Sequence, residues 1–326
     1  MQQKIEFRKD RDFSLVLGDA IKFVRQNFKS LFGSIIFITG PFILMTGVAY
    51  GYMQSTMLSQ NPLLGSTRGG FRSMASMYES TYTATYFLAI AVLIICGILV
   101  NVLLNSVVYN YMGLYNEKPF GEKITIAEVG ARVWSSLGRM IGSMLLLSLV
   151  MGVIGLVVVL IFAGIISVTG VVGGILVGLL VLFSLLLFMP VLVYFIPAAF
   201  YVVVRDGNFI FPALGKVKRY LSGSFWWTWL IMVVALIAIG ILQTLFSLPA
   251  TIMVFSQTFT RMQHLTDGSA MAETSPSILL IVFYTIAMFL TTCTSSILNL
   301  ICAFNFLGHE EKHEGKGILS RMDEIK

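Results

Sequence analysis

The chain has 326 residues, 57% hydrophobic and only 12% charged, with a net charge of +6. A soluble domain carries about 25% charged residues, so half the usual surface charge is missing, and a mean hydropathy of +0.86 points to a polytopic helical membrane protein. The basic excess comes with no soluble domain to present it, which excludes nucleic acid as a partner. Cys96, Cys293 and Cys302 lie in apolar runs without CxxC spacing, so no disulfide or zinc-thiolate framework is expected.

Residues 1–12 alternate charges and read as a solvated lead-in, with Asp12 placed to cap a helix. The polar N-terminus predicts no cleavable signal peptide. In 13–29, Phe13, Val16, Leu17, Ala20, Val24 and Phe28 fall near a 3.6-residue stripe, with Asp19, Lys22, Arg25, Gln26 and Lys29 opposite. This pattern predicts an amphipathic helix in the membrane interface, apolar face toward acyl chains and Lys22, Arg25 and Lys29 toward headgroups. The alternative is a plain extension of the first span.

A bilayer crossing takes about 20 mainly apolar residues. No charge lies between Glu79 and Glu117, Arg139 and Arg205, Arg219 and Arg261, or Glu273 and Glu310. The second of these runs is long enough for two crossings. With 30–52, the expected spans are 30–52, 82–109, 140–168, 175–203, 225–253 and 277–307, followed by a tail, 308–326. Gly40-Pro41 predicts a kink in the first span. Residues 53–80 read as the largest external loop.

Asn101 and Asn105 in span two, and Thr292, Ser295, Ser296 and Asn299 in span six, need partners in lipid and are expected to face protein as interhelical glue. A polar path between the two spans is the alternative. Two further interfacial helices are expected at 124–139 and 209–222, with Arg132, Arg139, Lys216, Lys218 and Arg219 toward headgroups. Trp134, Trp226 and Trp227 occupy aromatic-belt positions. Thr169 to Gly174 predicts a tight turn between spans three and four. Gly152, Gly155, Gly164, Gly174 and Gly178 are expected to allow close helix approach.

Lys and Arg cluster in the N-terminal segment, the loops after spans two and four, and the tail. Only Arg68, Arg72 and Arg261 fall on the other side. Lys/Arg-rich short loops stay cytoplasmic, so both termini are expected in the cytoplasm. The expected fold is an all-α membrane protein: six transmembrane helices as three hairpins, each preceded by a cytoplasmic interfacial amphipathic helix, in a single polytopic domain.

The hairpins also read as a repeat. Tyr109-Asn110-Tyr111-Met112-Gly113 closes span two, Phe304-Asn305-Phe306-Leu307-Gly308 closes span six, and Phe200-Tyr201-Val202 is a weaker third copy. Each amphipathic run leads into an odd-numbered span, as in Phe23-Val24-Arg25-Gln26-Asn27-Phe28-Lys29-Ser30-Leu31-Phe32. On these residues, and on the tail from Glu314 to Ile325, the chain resembles the membrane domain of some glycerophosphoryl diester phosphodiesterases and the stand-alone bacterial YciC-type integral membrane proteins. The resemblance implies a six-span protein of the bacterial inner membrane. It implies no phosphodiesterase chemistry, because the soluble catalytic domain is missing.

His309-Glu310-Glu311-Lys312-His313 matches H-E-x-x-H, a zinc signature. Catalytic zinc needs a third protein ligand in a sheltered cavity; the 13 residues after His313 supply no further histidine and Glu314 is adjacent, so the match reads as incidental and no metal or cofactor is expected. No Asp, Glu, Lys, Arg or His lies deep in a span, which weighs against proton coupling. The leading expectation is a non-enzymatic scaffold or accessory subunit of an envelope membrane complex, with membrane lipids and protein as partners. The alternative is a transporter or channel for an uncharged or lipid-like substrate.

Overall fold

The structure, a computed structural model, describes residues 4–59, 84–266 and 277–315. Most of the expected external loops, with Arg68 and Arg72, and the tail beyond Gly315 lie outside the described residues, as do the side chains of Arg261 and His264. Every element among the described residues is helical: α1 (Phe13–Ser59), α2 (Ala84–Glu117), α3 (Ile126–Val168), α4 (Val172–Asp206), α5 (Ile210–Leu221), α6 (Phe225–Thr266) and α7 (Ile278–Glu314). Six of these, all but α5, are long and apolar enough to cross a membrane. The chain is an all-α integral membrane protein.

Two of the three amphipathic segments are continuous with the span that follows. Nothing between Lys29 and Ser30 breaks a helix, so 13–29 is the first part of the 47-residue α1. Likewise, α3 begins at Ile126 and runs on, its start set by a capping box: Thr125 Oγ1 accepts from the Glu128 N–H at 3.4 Å, and the Glu128 carboxylate accepts from the Thr125 N–H at 2.9 Å. Only α5 stands alone, ended by the Ser222-Gly223 turn. Between α3 and α4 the helix breaks at Gly170 (φ 68°, ψ −172°), a backbone region open to glycine. The turn is thus tighter than 169–174.

The chain divides into two compact units. One comprises Ile35–Leu104 and Ile239–Ser295. Here α1 and α7 touch backbone to backbone at two glycines one turn apart. A Cβ on Gly47 would lie 2.8 Å from Thr285 Cα, and one on Gly51 2.8 Å from Ile281 Cα. Tyr50 meets Tyr284 edge to face at 5.2 Å, and Ser55 Oγ accepts from the Ser277 N–H at 2.6 Å. The hydroxyls of Thr292 and Ser295 donate to carbonyls one turn back in α7, at 2.7 and 2.9 Å, and Ser295 Oγ also accepts from Gln243 of α6 at 3.3 Å.

The other unit comprises Met1–Ser34, Asn105–Ala238 and Ser296–Lys326. It contains the α3–α4 hairpin, where Gly174 backs onto Ile166 and Gly178 onto Phe162. Gly152, Gly155 and Gly164 face open space instead of a neighbouring helix. The unit's core is aromatic. Phe23 of α1 sits among Tyr111 and Tyr115 of α2 and Phe304 of α7, with ring centroids 4.9–6.1 Å apart. Each such pair contributes about 0.5–1.5 kcal/mol beyond its buried area. The α1 stripe is therefore partly covered by protein: Val16 and Ala20 are buried, as is Phe23 beside them, whereas Phe28 is exposed.

Proline sites in α4 of this unit are answered from neighbouring helices. Pro197 has no N–H for the Val193 carbonyl, and the Cys302 thiol of α7 contacts that oxygen at 3.8 Å. Two turns earlier, next to the Leu186 carbonyl for which Pro190 has no N–H, the Leu187 carbonyl accepts from the Trp229 indole at 2.7 Å.

Candidate functional site: a basic, aromatic-walled cleft

Two groups of charged residues stand out in the unit just described. The first is internally matched. Arg205, at the end of α4, places both guanidinium nitrogens on the Glu310 carboxylate of α7 at 2.6 and 2.8 Å, and its Nε on Asp206 at 2.8 Å. Lys216 of α5 completes the cluster, 2.8 Å from Asp206 and 3.3 Å from Glu310. Arg205 also stacks over Tyr201 and Phe306.

Arg11 is fully buried just before α1. It bonds Asp19 at 2.9 Å, the carbonyls of Phe7 and Lys9 at 3.0 and 3.2 Å, and the carbonyl of Glu6, and it lies over the Phe304 ring. Burial draws its guanidinium below the ordinary value, opposed by Asp19.

The H-E-x-x-H residues belong to this matched group. His309 is buried, its Nε2 2.8 Å from Thr228 Oγ1 of α6 and its ring edge-on to Tyr194. Glu310 is held by Arg205, and His313 packs on Tyr220, whose phenol is pushed up by burial and by the adjoining Glu314. Each motif residue thus faces a different structural partner. No group of three His, Cys, Asp or Glu side chains that could hold a metal is found among the described residues.

The second group opens onto a cleft of about 770 Å³ between the first half of α1, the end of α2 and the linker into α3. Its cations are Lys4, Arg25, Lys29, Lys118 and Lys123, against one acid, Glu122. The fold determines which of them are matched. Lys118 is bound by Glu122 and Glu128 at 2.9 and 2.8 Å, and these contacts, Glu128 first, raise its pKa. Lys4 donates to the carbonyls of Asn116 and Lys118 at 2.8 Å. No carboxylate among the described residues pairs with Arg25, Lys29 or Lys123. Like charges four apart on a helix, as at Arg25 and Lys29, oppose one another by about 0.2–0.5 kcal/mol.

The polar wall is ordered from beneath. Tyr111 OH donates to Asn27 Oδ1 at 3.1 Å and contacts Ser30 Oγ, while Tyr115 OH donates to Gln26 Oε1 at 3.2 Å and accepts from the Ile5 N–H at 3.1 Å.

Other sequence-expected residues are placed as follows. Arg25 and Lys29 line the cleft; Lys22, Lys218 and Arg219 are exposed outside it. Arg132 pairs with Glu117, and Arg139 Nη1 donates to the Gly207 carbonyl at 2.7 Å, where a positive-φ glycine ends α4. Trp134, Trp226 and Trp227 are exposed at 75%, 67% and 41%. Asn105, Thr292, Ser296 and Asn299 are buried, Ser295 half-buried and Asn101 exposed.

The two aromatic-Asn-aromatic motifs make parallel contacts. Asn110 Nδ2 donates to Ser136 Oγ of α3 at 3.0 Å, and Asn305 Nδ2 to Thr228 Oγ1 of α6 at 3.4 Å. The glycine closing each motif lies against an arginine side chain, Gly113 against Arg132 and Gly308 against Arg11. Sequence reasoning counted Lys4, Lys118 and Lys123 only for topology and missed Tyr111 and Tyr115 as a wall. The available signal was the density of basic and aromatic residues between 111 and 123.

No family model, curated protein or solved structure matches the chain.

Proposed function

We propose that this integral membrane protein is non-enzymatic and serves as a scaffold or accessory subunit of a membrane complex in the bacterial cytoplasmic membrane. The observation that carries the reading is the matched charge network. Among the residues best suited to chemistry, Arg205, Glu310, Lys216 and His309 tie helix ends together, and Arg11 holds the lead-in to α1. A rigid helical platform results, with Trp134, Trp226, Lys218 and Arg219 left on its surface for lipid headgroups and protein partners.

The Lys/Arg distribution supports cytoplasmic termini. The parallel contacts of Asn110 and Asn305 support an internal repeat, and with it the resemblance to YciC-type proteins and phosphodiesterase membrane domains. The α7 hydroxyls are satisfied within their own helix and by Gln243, which favours packing over a polar path.

Purification in mild detergent followed by native mass spectrometry tests the reading. A stoichiometric protein partner is expected. A chain that purifies alone and is stabilised by an uncharged substrate would replace the scaffold with the transporter.

A further inference from the structure

The cleft between α1, α2 and the α2–α3 linker has more cation than its own acids can match. Arg25 and Lys29 lie on successive turns of α1, and Lys123 lines the same cleft from the linker, all three without a carboxylate partner among the described residues. Beside them, Lys118 is pinned by Glu122 and Glu128, and the Tyr111 and Tyr115 phenols are fixed by hydrogen bonds to Asn27 and Gln26. The rim is apolar and open: Phe28 is 58% exposed, Phe120 48% and Ile126 37%.

Clustered cations without acids of their own suit a phosphate group. An apolar rim beside them suits the glycerol and acyl portion of a lipid carrying that phosphate. We propose that this cleft is a binding site for a phosphate group, held by Arg25, Lys29 and Lys123, and that an anionic phospholipid headgroup is the form the rim favours. This site is independent of the scaffold reading, since a protein that works alone could carry it equally well.

The test titrates three probes into the full-length protein in a neutral detergent and follows its thermal midpoint. These are short-chain phosphatidylglycerol, phosphatidylcholine with the same chains, and inorganic phosphate. Saturable stabilisation by phosphatidylglycerol but not phosphatidylcholine is expected. In the Arg25→Gln, Lys29→Gln double variant, affinity should fall about 30-fold, at about 1 kcal/mol for each cation near an anionic headgroup. The Arg8→Gln, Lys9→Gln variant removes the same charge from exposed positions outside the cleft and should bind as the parent does.

If inorganic phosphate alone gives the same stabilisation with the same variant dependence, the site stands and its ligand is free phosphate. Equal loss in both double variants would reduce the effect to general surface charge and overturn the site, as would stabilisation by phosphatidylcholine equal to that by phosphatidylglycerol. Arg25 and Lys29 are exposed, so their variant should fold. Should it fail, Lys123→Gln on the linker decides, with about fivefold weaker binding expected and parental binding refuting the site.

Discussion

Gly47→Ala and Gly97→Ala make the same chemical change within two apolar helices, yet opposite effects on stability are expected. In an otherwise open helix interior, alanine is favoured over glycine by up to about 1 kcal/mol. Gly97 of α2 has nothing within 4 Å of the added Cβ, so Gly97→Ala should be neutral or stabilising to that extent. At Gly47 the new methyl would stand 2.8 Å from Thr285 Cα and 3.1 Å from Thr285 Cγ2.

Carbon atoms pack best at about 3.5–4.0 Å, and a gap of 0.5–1 Å opened along an interface forfeits roughly a quarter to a half of the dispersion energy there. The nearest obstacle is backbone, which cannot rotate away, so α1 and α7 must separate. Overpacking of this kind costs about 1–3 kcal/mol. Set against the helix-propensity gain, Gly47→Ala should lose about 1 kcal/mol net, leaving it roughly 2 kcal/mol less stable than Gly97→Ala.

Gly51 is equally close to Ile281 Cα, and one displacement relieves both contacts, so the Gly47→Ala, Gly51→Ala pair should lose less than the sum of its parts. Unfolding in mixed micelles by a denaturing detergent, followed by helical circular dichroism, measures all four proteins. A Gly47→Ala variant as stable as Gly97→Ala would refute the backbone contact.

Arg205→Lys keeps the charge but loses the fork that grips Glu310 at 2.6 and 2.8 Å, and should cost about 1–2 kcal/mol in the same assay. Asn110→Leu removes the bond to Ser136 of α3, a loss of roughly 0.6 kcal/mol at the value typical of an interhelical bond, besides its bonds to Ser106 within α2. Ser136→Ala should add little on top of it. His309→Ala should destabilise by about 1–3 kcal/mol through the lost 2.8 Å bond to Thr228, which keeps only its longer contact with Asn305, and the lost packing on Tyr194. Metal analysis should find no stoichiometric zinc in the parent protein; zinc present there and lost in the variant would revive H-E-x-x-H as a metal site.

The crossings were readable because a charge-free run of about 20 residues has few other uses. Where helices stop was harder to read. The expected division at Lys29 has no glycine, proline or cap behind it, so α1 runs through, whereas Ser222-Gly223 does end α5. Helix pairing was read in part from the wrong glycines, although Gly174 and Gly178 do back onto Ile166 and Phe162. Gly152, Gly155 and Gly164 stand out in a glycine-rich stretch but face open space, while the backbone contacts lie at Gly47 and Gly51, a Gly-x-x-x-Gly pair that appeared ordinary in span one. Glycine spacing shows that two backbones can approach. Only the partner's position decides whether they do.

The same limit governs the charges, and here it bears on function. In sequence, Arg11, Arg25, Arg205 and Lys29 are alike: basic residues flanking apolar spans, all assigned to topology and headgroups. What separates them is whether the fold brings an acid to them. Arg205 meets Glu310, 105 positions along the chain. Arg11 meets Asp19 and three carbonyls that a bend in the lead-in turns toward it. Asp19, the acid nearest to Arg25 in sequence, is thereby taken, and the first half of α1 is left with cations and no acid of its own. Asp19 stands six residues from Arg25 and off its helical face, and no acid occupies a position three or four residues from Arg25 or Lys29. Returning Asp19 to solvent, as Arg11→Met would, should weaken the cleft's hold on phosphate less than Arg25→Gln does, because the cleft cations themselves remain. An equal loss would mean that the lead-in, rather than the cations of α1, shapes the site.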